Sequence, residues 1–273
     1  MNNLGDILKE TRQQKQLSQL EASENICSQS TLSEIEHNKY IPNTELLLNL
    51  CQRLCVDFDD LALSTNFKVC KDNYFNQKIH SFYNNRNYRK LQIFLNRPTV
   101  LETIQTGKQT QSYYFYLALC SLHLERKYDN AKEYLKLSLA SAGHSRKQTT
   151  LTRVGNIVLA YVYAQQGLKM SALKQIDLAL KGLEKAKYEE NLNLVFYLAS
   201  LSYFQLSEQD SAIQTIENGI HFILQNNSHF MLINSLYLMA NVAEVLKRDN
   251  EPLQAVKKYD IFNNFMRERE KVS

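Results

Sequence analysis

Chain breakers are scarce here: the 273 residues include only seven glycines and three prolines. Long stretches rich in Leu, Ala, Lys, Gln and Tyr run between them. That scarcity points to an almost wholly helical protein. No apolar run reaches the roughly 18 residues of a membrane-spanning helix. The opening MNNLGDILKE carries acidic residues and no apolar core, so it does not read as a signal peptide. The five cysteines, Cys27, Cys51, Cys55, Cys70 and Cys120, form no CxxC pair, and their number is odd. A reduced, cytoplasmic setting is expected, with the thiols acting as small core hydrophobes. Cys51 and Cys55 lie one turn apart without a nearby His, which makes a poor metal site. The six histidines are scattered, and no G-x-S-x-G, P-loop, glycine-rich fingerprint or HExxH occurs. Neither an enzyme nor a cofactor is expected.

What the chain does have is unevenly spread. Residues 1–64 hold five basic and ten acidic side chains, and residues 65–97 hold seven basic and one acidic. The shift near residue 64 marks a candidate boundary. It suggests a first domain over 1–64, a linker over 65–72 and a second domain over 73–273.

The first 64 residues read as short helices. Leu4, Ile7, Leu8 and Thr11 fall on one face of a helix from Leu4 to Gln14. Ser18 followed by Glu21 is a capping box that opens a second helix. Asn25 to Ser28 makes a turn. A third helix opens at Ser28 or Gln29 and runs to about His37. Pro42-Asn-Thr-Glu starts a fourth over Thr44 to Leu54, and Asp57 to Leu63 suggests a fifth. On the third helix Leu32 and Ile35 face inward, which leaves Gln29, Ser30, Thr31, Ser33 and Glu34 outside. A short helix, a tight turn and a second helix with a small polar face form a helix-turn-helix, whose second helix enters the major groove. Gln pairs bidentately with adenine, Ser and Thr reach several base edges, and Glu accepts from cytosine.

Leu17-Ser18-Gln19, Gln29-Ser30, Leu32-Ser33-x-Ile35-Glu36 and Pro42 resemble the lambda-repressor-like, XRE-type DNA-binding domains. The resemblance implies that Gln19 touches a phosphate and braces Gln29. It also implies that Arg12 pairs with Glu36 in a structural role. The acidic balance departs from that pattern, since counterion release supplies much of DNA affinity. Lys15, Lys39 and Lys9 are the cations expected around the interface.

From Asn73 onward the pattern is helix, short turn, helix. Tyr128-Asp-Asn-Ala131, Lys169-Met-Ser-Ala172, Gln209-Asp-Ser-Ala212 and Asp249-Asn-Glu-Pro252 recur at spacings of 41, 40 and 40 residues. An apolar helix precedes each, and a weaker unit over Asn73–Arg97 comes first. Such a period signals an α-solenoid. It resembles the tetratricopeptide repeat, at about 34 residues per consensus unit, stretched by about a turn and a half. The expected fold is therefore all-α: a helix-turn-helix bundle, then a right-handed solenoid of about five helix pairs.

The repeat register places Asn234, Tyr237, Asn241 and Glu244 on one stripe of a helix, facing a concave groove. Leu236, Ala240 and Ala243 then fall on the packing side. Equivalent groove positions are Asn193 and Tyr197, then Ile157 and Tyr161 with Asn156 beside them, then Tyr116, Cys120 and His123. Asn both donates and accepts, so it can clamp the main chain of an extended peptide. Tyr and aliphatic neighbours would form side-chain pockets.

An XRE-type head followed by such an array resembles the RRNPP regulators, and the PlcR- and Rgg-like members in particular, through Ser23-Glu-Asn-Ile-Cys27 with Gln29-Ser30. That resemblance implies a cytoplasmic homodimer that binds a double-stranded DNA operator. Its repeat domain would take a short linear signalling peptide that shifts the placement of the two heads. The last helix, about Pro252 to Met266, either caps the array or joins a partner. Two other readings stay open: a repressor whose array binds a protein partner, and an adaptor that no longer binds DNA.

Overall fold

The computed structural model describes residues 4–40, 42–54, 63–125, 128–143 and 148–249. Among these residues there are fourteen α-helices and no strand. The expected helices over Asp57–Leu63 and Pro252–Met266, and the start at Asp249-Asn-Glu-Pro252, lie wholly or mostly outside the described residues. The chain divides into two compact units, one formed by residues 1–55 with 207–273 and the other by residues 56–206.

In the first unit, α1 (Leu4–Gln14), α2 (Gln19–Ser23), α3 (Gln29–Glu36) and α4 (Thr44–Leu54) form the head. The capping box is present: Ser18 Oγ accepts from the Glu21 amide, and the Ser18 amide donates 2.7 Å to Glu21 Oε2. Ser28 Oγ caps α3 by accepting from the Thr31 amide. Asn43 Oδ1 accepts from the Leu46 amide and so opens α4 just past Pro42. Leu8, Ala22, Leu32, Ile35, Leu47, Leu50 and Leu54 are buried between these helices. Gly5 lets α1 approach α3 closely, because a Cβ there would lie 2.0 Å from the Ile35 carbonyl oxygen. The Gly5 amide instead donates 2.9 Å to Asn38 Oδ1. The same unit contains α13 (Gln209–Gln225) and α14 (Leu232–Asp249), which pair with each other. Helix α14 also packs on α4 and α1.

The second unit stacks α5 (Asn73–Asn84), α6 (Tyr88–Leu95), α7 (Pro98–Leu101), α8 (Gly107–Glu125), α9 (Tyr128–Ala140), α10 (Thr150–Gln165), α11 (Lys169–Leu180) and α12 (Asn193–Gln205). Each pair packs on the next, with α6 against α8, α9 against α10 and α10 against α12. This nearest-neighbour stacking is the mark of a helical-repeat array. Helices α9, α11 and α13 begin at Tyr128, Lys169 and Gln209, where the 40-residue spacing places them. Their small residues Ala131, Ala172 and Ala212 are fully buried. The turns before α6, α11 and α13 share one device: Arg86, Gly167 and Ser207 are left-handed, at φ 56°, 69° and 61°. A single residue in that conformation reverses the chain and satisfies the carbonyls at the end of the preceding helix.

Helices α8, α10 and α12 are apolar nearly all round because each is sandwiched between neighbours. In α10, thirteen residues are buried. One is Arg153, whose Nη1 donates 2.7 Å to the Ala179 carbonyl and 2.9 Å to the Lys181 carbonyl. It thus serves the C-terminal end of α11, where the helix dipole favours a cation. Burial nonetheless lowers the Arg153 pKa.

Candidate functional site

In the head, four side chains form a continuous relay behind α3. Arg12 Nε donates 2.5 Å to Glu36 Oε1, and Arg12 Nη2 donates 2.9 Å to Glu36 Oε2. Gln19 Nε2 donates 2.8 Å to the same Oε2. Gln29 Nε2 then donates 3.1 Å to Gln19 Oε1. The pairing of Arg12 with Glu36 and the bracing of Gln29 by Gln19 are the arrangements the XRE resemblance implies. Burial pushes the Glu36 carboxyl up, but hydrogen bonds from Arg12 and Gln19 outweigh it and hold the group below the usual carboxylate range. The hydrogen bond to Glu36 raises the Arg12 pKa in turn. Arg12 Nη1 also donates 2.7 Å to the Leu17 carbonyl, which ties the α1–α2 turn to the relay.

The outer face of α3 is polar. Gln29, Ser30 and Glu34 are exposed, Thr31 and Ser33 are half-buried, and Lys39 is exposed just past the helix end. The Ser30 and Thr31 hydroxyls each lie 2.8 Å from Ser28 Oγ. Two of the head's five cations hold the head's own fold together. Arg12 sits in the relay, and Arg53 donates 2.8 Å to the Glu21 carbonyl and 3.0 Å to the Glu24 carbonyl at the end of α2. Lys9, Lys15 and Lys39 are the other three, the first two half-buried and Lys39 exposed.

On the repeat helices the structure brings the predicted residues to different depths. Asn193 is fully buried, and its Nδ2 donates 3.3 Å to the Tyr188 hydroxyl. Asn156, Tyr161, Tyr197 and Asn234 are almost wholly buried, whereas Tyr237 and Asn241 are half-buried. The Glu244 side chain lies outside the described residues. Ala240 and Ala243, expected on the packing side with Leu236, are half-buried, while Leu238, Met239 and Val242 are buried. Helix α14 therefore buries a wider arc than one stripe, since it packs on α13, α4 and α1 together.

Three expected groove positions, Ile157, Cys120 and Tyr116, lie in the core instead. Ile157 and Cys120 are fully buried, because α10 and α8 are sandwiched and have no open side at those residues. His123 stacks on Tyr88, with ring centroids 4.0 Å apart and planes 8° apart. Tyr116 is also fully buried, but its hydroxyl contacts main chain: it accepts 3.0 Å from the Phe67 amide. Asn191, which the repeat register did not single out, makes the same kind of contact with Thr65. The signal for it was its type and position, an Asn immediately before an apolar helix.

This geometry defines a helix-turn-helix head joined to a helical-repeat array. Residues 8–61 match the helix-turn-helix family. No curated protein sequence matches the chain. Among solved structures, the chain shares the fold of Bacillus thuringiensis PlcR, determined in complex with the peptide PapR7 and DNA. The two are 19% identical with a TM-score of 0.54, and the match covers 100% of this chain and 99% of that one. The SHP pheromone receptor Rgg2 of Streptococcus dysgalactiae is a more distant likeness, at 15% identity and a TM-score of 0.37 over 91% of this chain and 100% of that one. No helix among the described residues is long and apolar enough to cross a membrane.

Proposed function

We propose that this protein is a sequence-specific, DNA-binding transcriptional regulator whose repeat helices bind a short signalling peptide. The carrying observation is the relay Arg12–Glu36–Gln19–Gln29, which fixes the first side chain of α3 from a buried ion pair outward. A recognition helix needs such preorganisation, because base contacts specify only when phosphate contacts and packing hold the register. Gln19 sits at the α2 N-terminus, where a phosphate is favoured. Gln29, Ser30, Thr31, Ser33 and Glu34 read base edges, and Lys39 meets the backbone. The division of labour is residues 1–64 for DNA and residues 73–273 for peptide binding and dimerisation.

The peptide reading is supported by the shared fold with PlcR, a protein solved with both a peptide and DNA. Asn156, Tyr161, Asn193, Tyr197, Asn234, Tyr237, Asn241 and Glu244 are the residues assigned to the peptide. The protein works in the cytoplasm as a homodimer, without catalysis or cofactor. Peptide binding then biases the placement of two heads on two half-sites, a population shift between dimer geometries.

The test is binding of the full chain to DNA from its own promoter region. Gln29→Ala and Ser30→Ala are expected to cost about 1–3 kcal/mol on the specific site and little on random DNA. Lys39→Ala is expected to weaken both equally and reduce the salt slope by about 1. Equal loss on specific and random DNA for Gln29→Ala contradicts the base-reading role.

A further inference from the structure

Residues Ser64 to Cys70 form neither helix nor strand: Asn66 to Val69 run without regular structure between bends at Ser64–Thr65 and at Cys70. Buried main-chain N–H and C=O groups must find partners. Here, side chains of the repeat helices supply many of them. Asn191 Oδ1 accepts 2.8 Å from the Ser64 amide and 3.4 Å from the Thr65 amide, and its Nδ2 donates 2.7 Å to the Thr65 carbonyl. The Tyr116 hydroxyl accepts from the Phe67 amide and donates 3.2 Å to Asn66 Oδ1. Asn76 Oδ1 accepts 2.9 Å from the Val69 amide, and its Nδ2 donates 2.8 Å to the Cys70 carbonyl. Asn191, Tyr116 and Asn76 are 2%, 0% and 4% exposed, while the segment itself passes from part-exposed at Ser64–Lys68 to buried at Val69 and Cys70. Phe67 adds an edge-on contact to the buried Phe115 ring, centroids 5.7 Å apart.

Two features set this segment apart from an ordinary connection, which runs solvated over the surface. The first is that two buried asparagines each clamp both a donor and an acceptor of its main chain. That is how a protein binds an extended peptide without reading its sequence. The second is that Thr65, Asn66, Phe67 and Asn191 lie along an open-sided cleft of about 540 Å³.

We propose that Ser64–Cys70 is a tethered main-chain ligand of the repeat helices, and that Asn191, Tyr116 and Asn76 accept an extended peptide in trans only once this segment leaves. The second half rests on the peptide-binding reading above; the first stands without it. A tether of a few residues gives an effective concentration of order mM. A free peptide therefore competes poorly with the intact chain and well with a chain whose segment cannot bind. The segment follows the head in sequence, so its release would lengthen the leash between head and array.

The experiment titrates a fluorescent peptide of residues 63–71, with Ser in place of its cysteine, into three full-length proteins without DNA. These are the wild type, a variant carrying Ser64→Pro, Thr65→Pro, Phe67→Pro and Val69→Pro, which removes the four clamped amides, and that variant carrying Asn191→Ala. At least tenfold tighter binding to the proline variant than to the wild type, lost again with Asn191→Ala, is the expected result. Equal affinity for the first two proteins overturns the proposal. Should the proline variant not fold, hydrogen exchange decides. The Thr65, Phe67 and Val69 amides are expected to be protected in the wild type and at least tenfold faster in Asn191→Ala and Asn76→Ala. Exchange at the unstructured rate in the wild type also overturns it. DNA binding that responds to no signalling peptide, with the tether behaviour intact, removes the peptide-binding reading and the second half of this inference, and leaves the first half standing.

Discussion

The head and the repeat helices hold their functional faces by opposite means. In the head, a buried ion pair sits where α1 meets α3, and Gln19 and Gln29 extend it outward to the polar surface of α3. In the repeat unit, α8, α10 and α12 are held largely by apolar contact, and a buried cation, Arg153, serves two main-chain carbonyls at the end of α11. The first arrangement fixes orientation, because an ion pair with further hydrogen bonds has one satisfied geometry. The second gives stability that grows with each stacked pair. A reader of base edges needs the former, and a scaffold needs the latter.

Arg12→Ala is the largest expected blow to that comparison. It leaves the Glu36 carboxylate buried without its cation, a change that typically costs about 3–5 kcal/mol. Thermal unfolding followed by separate probes in each unit is expected to show the head melting earlier while residues 56–206 hold. A head as stable as the wild type contradicts the role given to the pair. Ile157→Ala is the counterpart in α10, where Ile157 is fully buried. It should cost about 2–5 kcal/mol through lost burial and the cavity left behind. That loss is expected in the repeat unit while Gln29 keeps its bracing.

Acidification should separate the two regions by pH. The His80 pKa is lowered from 6.5 chiefly by burial. Its neutral form therefore contributes stability that is complete above about pH 6.5 and lost as pH falls below that value towards the folded pKa. The Glu36 pKa is lowered from 4.5, so its contribution is intact above about pH 4.5 and lost as pH falls through its folded value. The repeat unit should weaken first on acidification and the head second, in a pH series of thermal melts. His80→Asn should remove the first loss alone.

The smallest effect is expected at the shared turn. Ser207 adopts φ 61° where α11's turn uses Gly167 at φ 69°. The left-handed region costs a non-glycine residue about 1 kcal/mol or more. Ser207→Gly should therefore raise the melting temperature slightly, and a fall would mean that the serine side chain supports the turn.

That turn also explains what the sequence could tell and what it could not. The helix starts at Tyr128, Lys169 and Gln209 are legible because Ala131, Ala172 and Ala212 must be small where two helices cross. The head is legible for a stronger reason. Its capping box at Ser18 and its Arg12–Glu36 pair are local or paired chemistry that leaves a mark on residue type. Depth within the array is another matter. Periodicity finds one face of a helix, but a helix buried on all sides has no single face. Cys120 and Ile157 therefore sit in the core and not on the groove stripe. The holding of Ser64–Phe67 by Tyr116 and Asn191 was not legible, because these partners lie 49 and 127 residues away in sequence.

The most direct measurement is the salt dependence of full-length protein binding to its promoter DNA, with and without short peptides encoded beside its gene. If Lys9, Lys15 and Lys39 of each head meet phosphates, the proposed pair of heads predicts a slope of about −5 in log K against log salt. Peptide should change the affinity on the specific site. Binding with that slope and a peptide response is the predicted result. No binding at about 50 mM salt would mean that the acidic head no longer reads DNA, and would contradict the regulator.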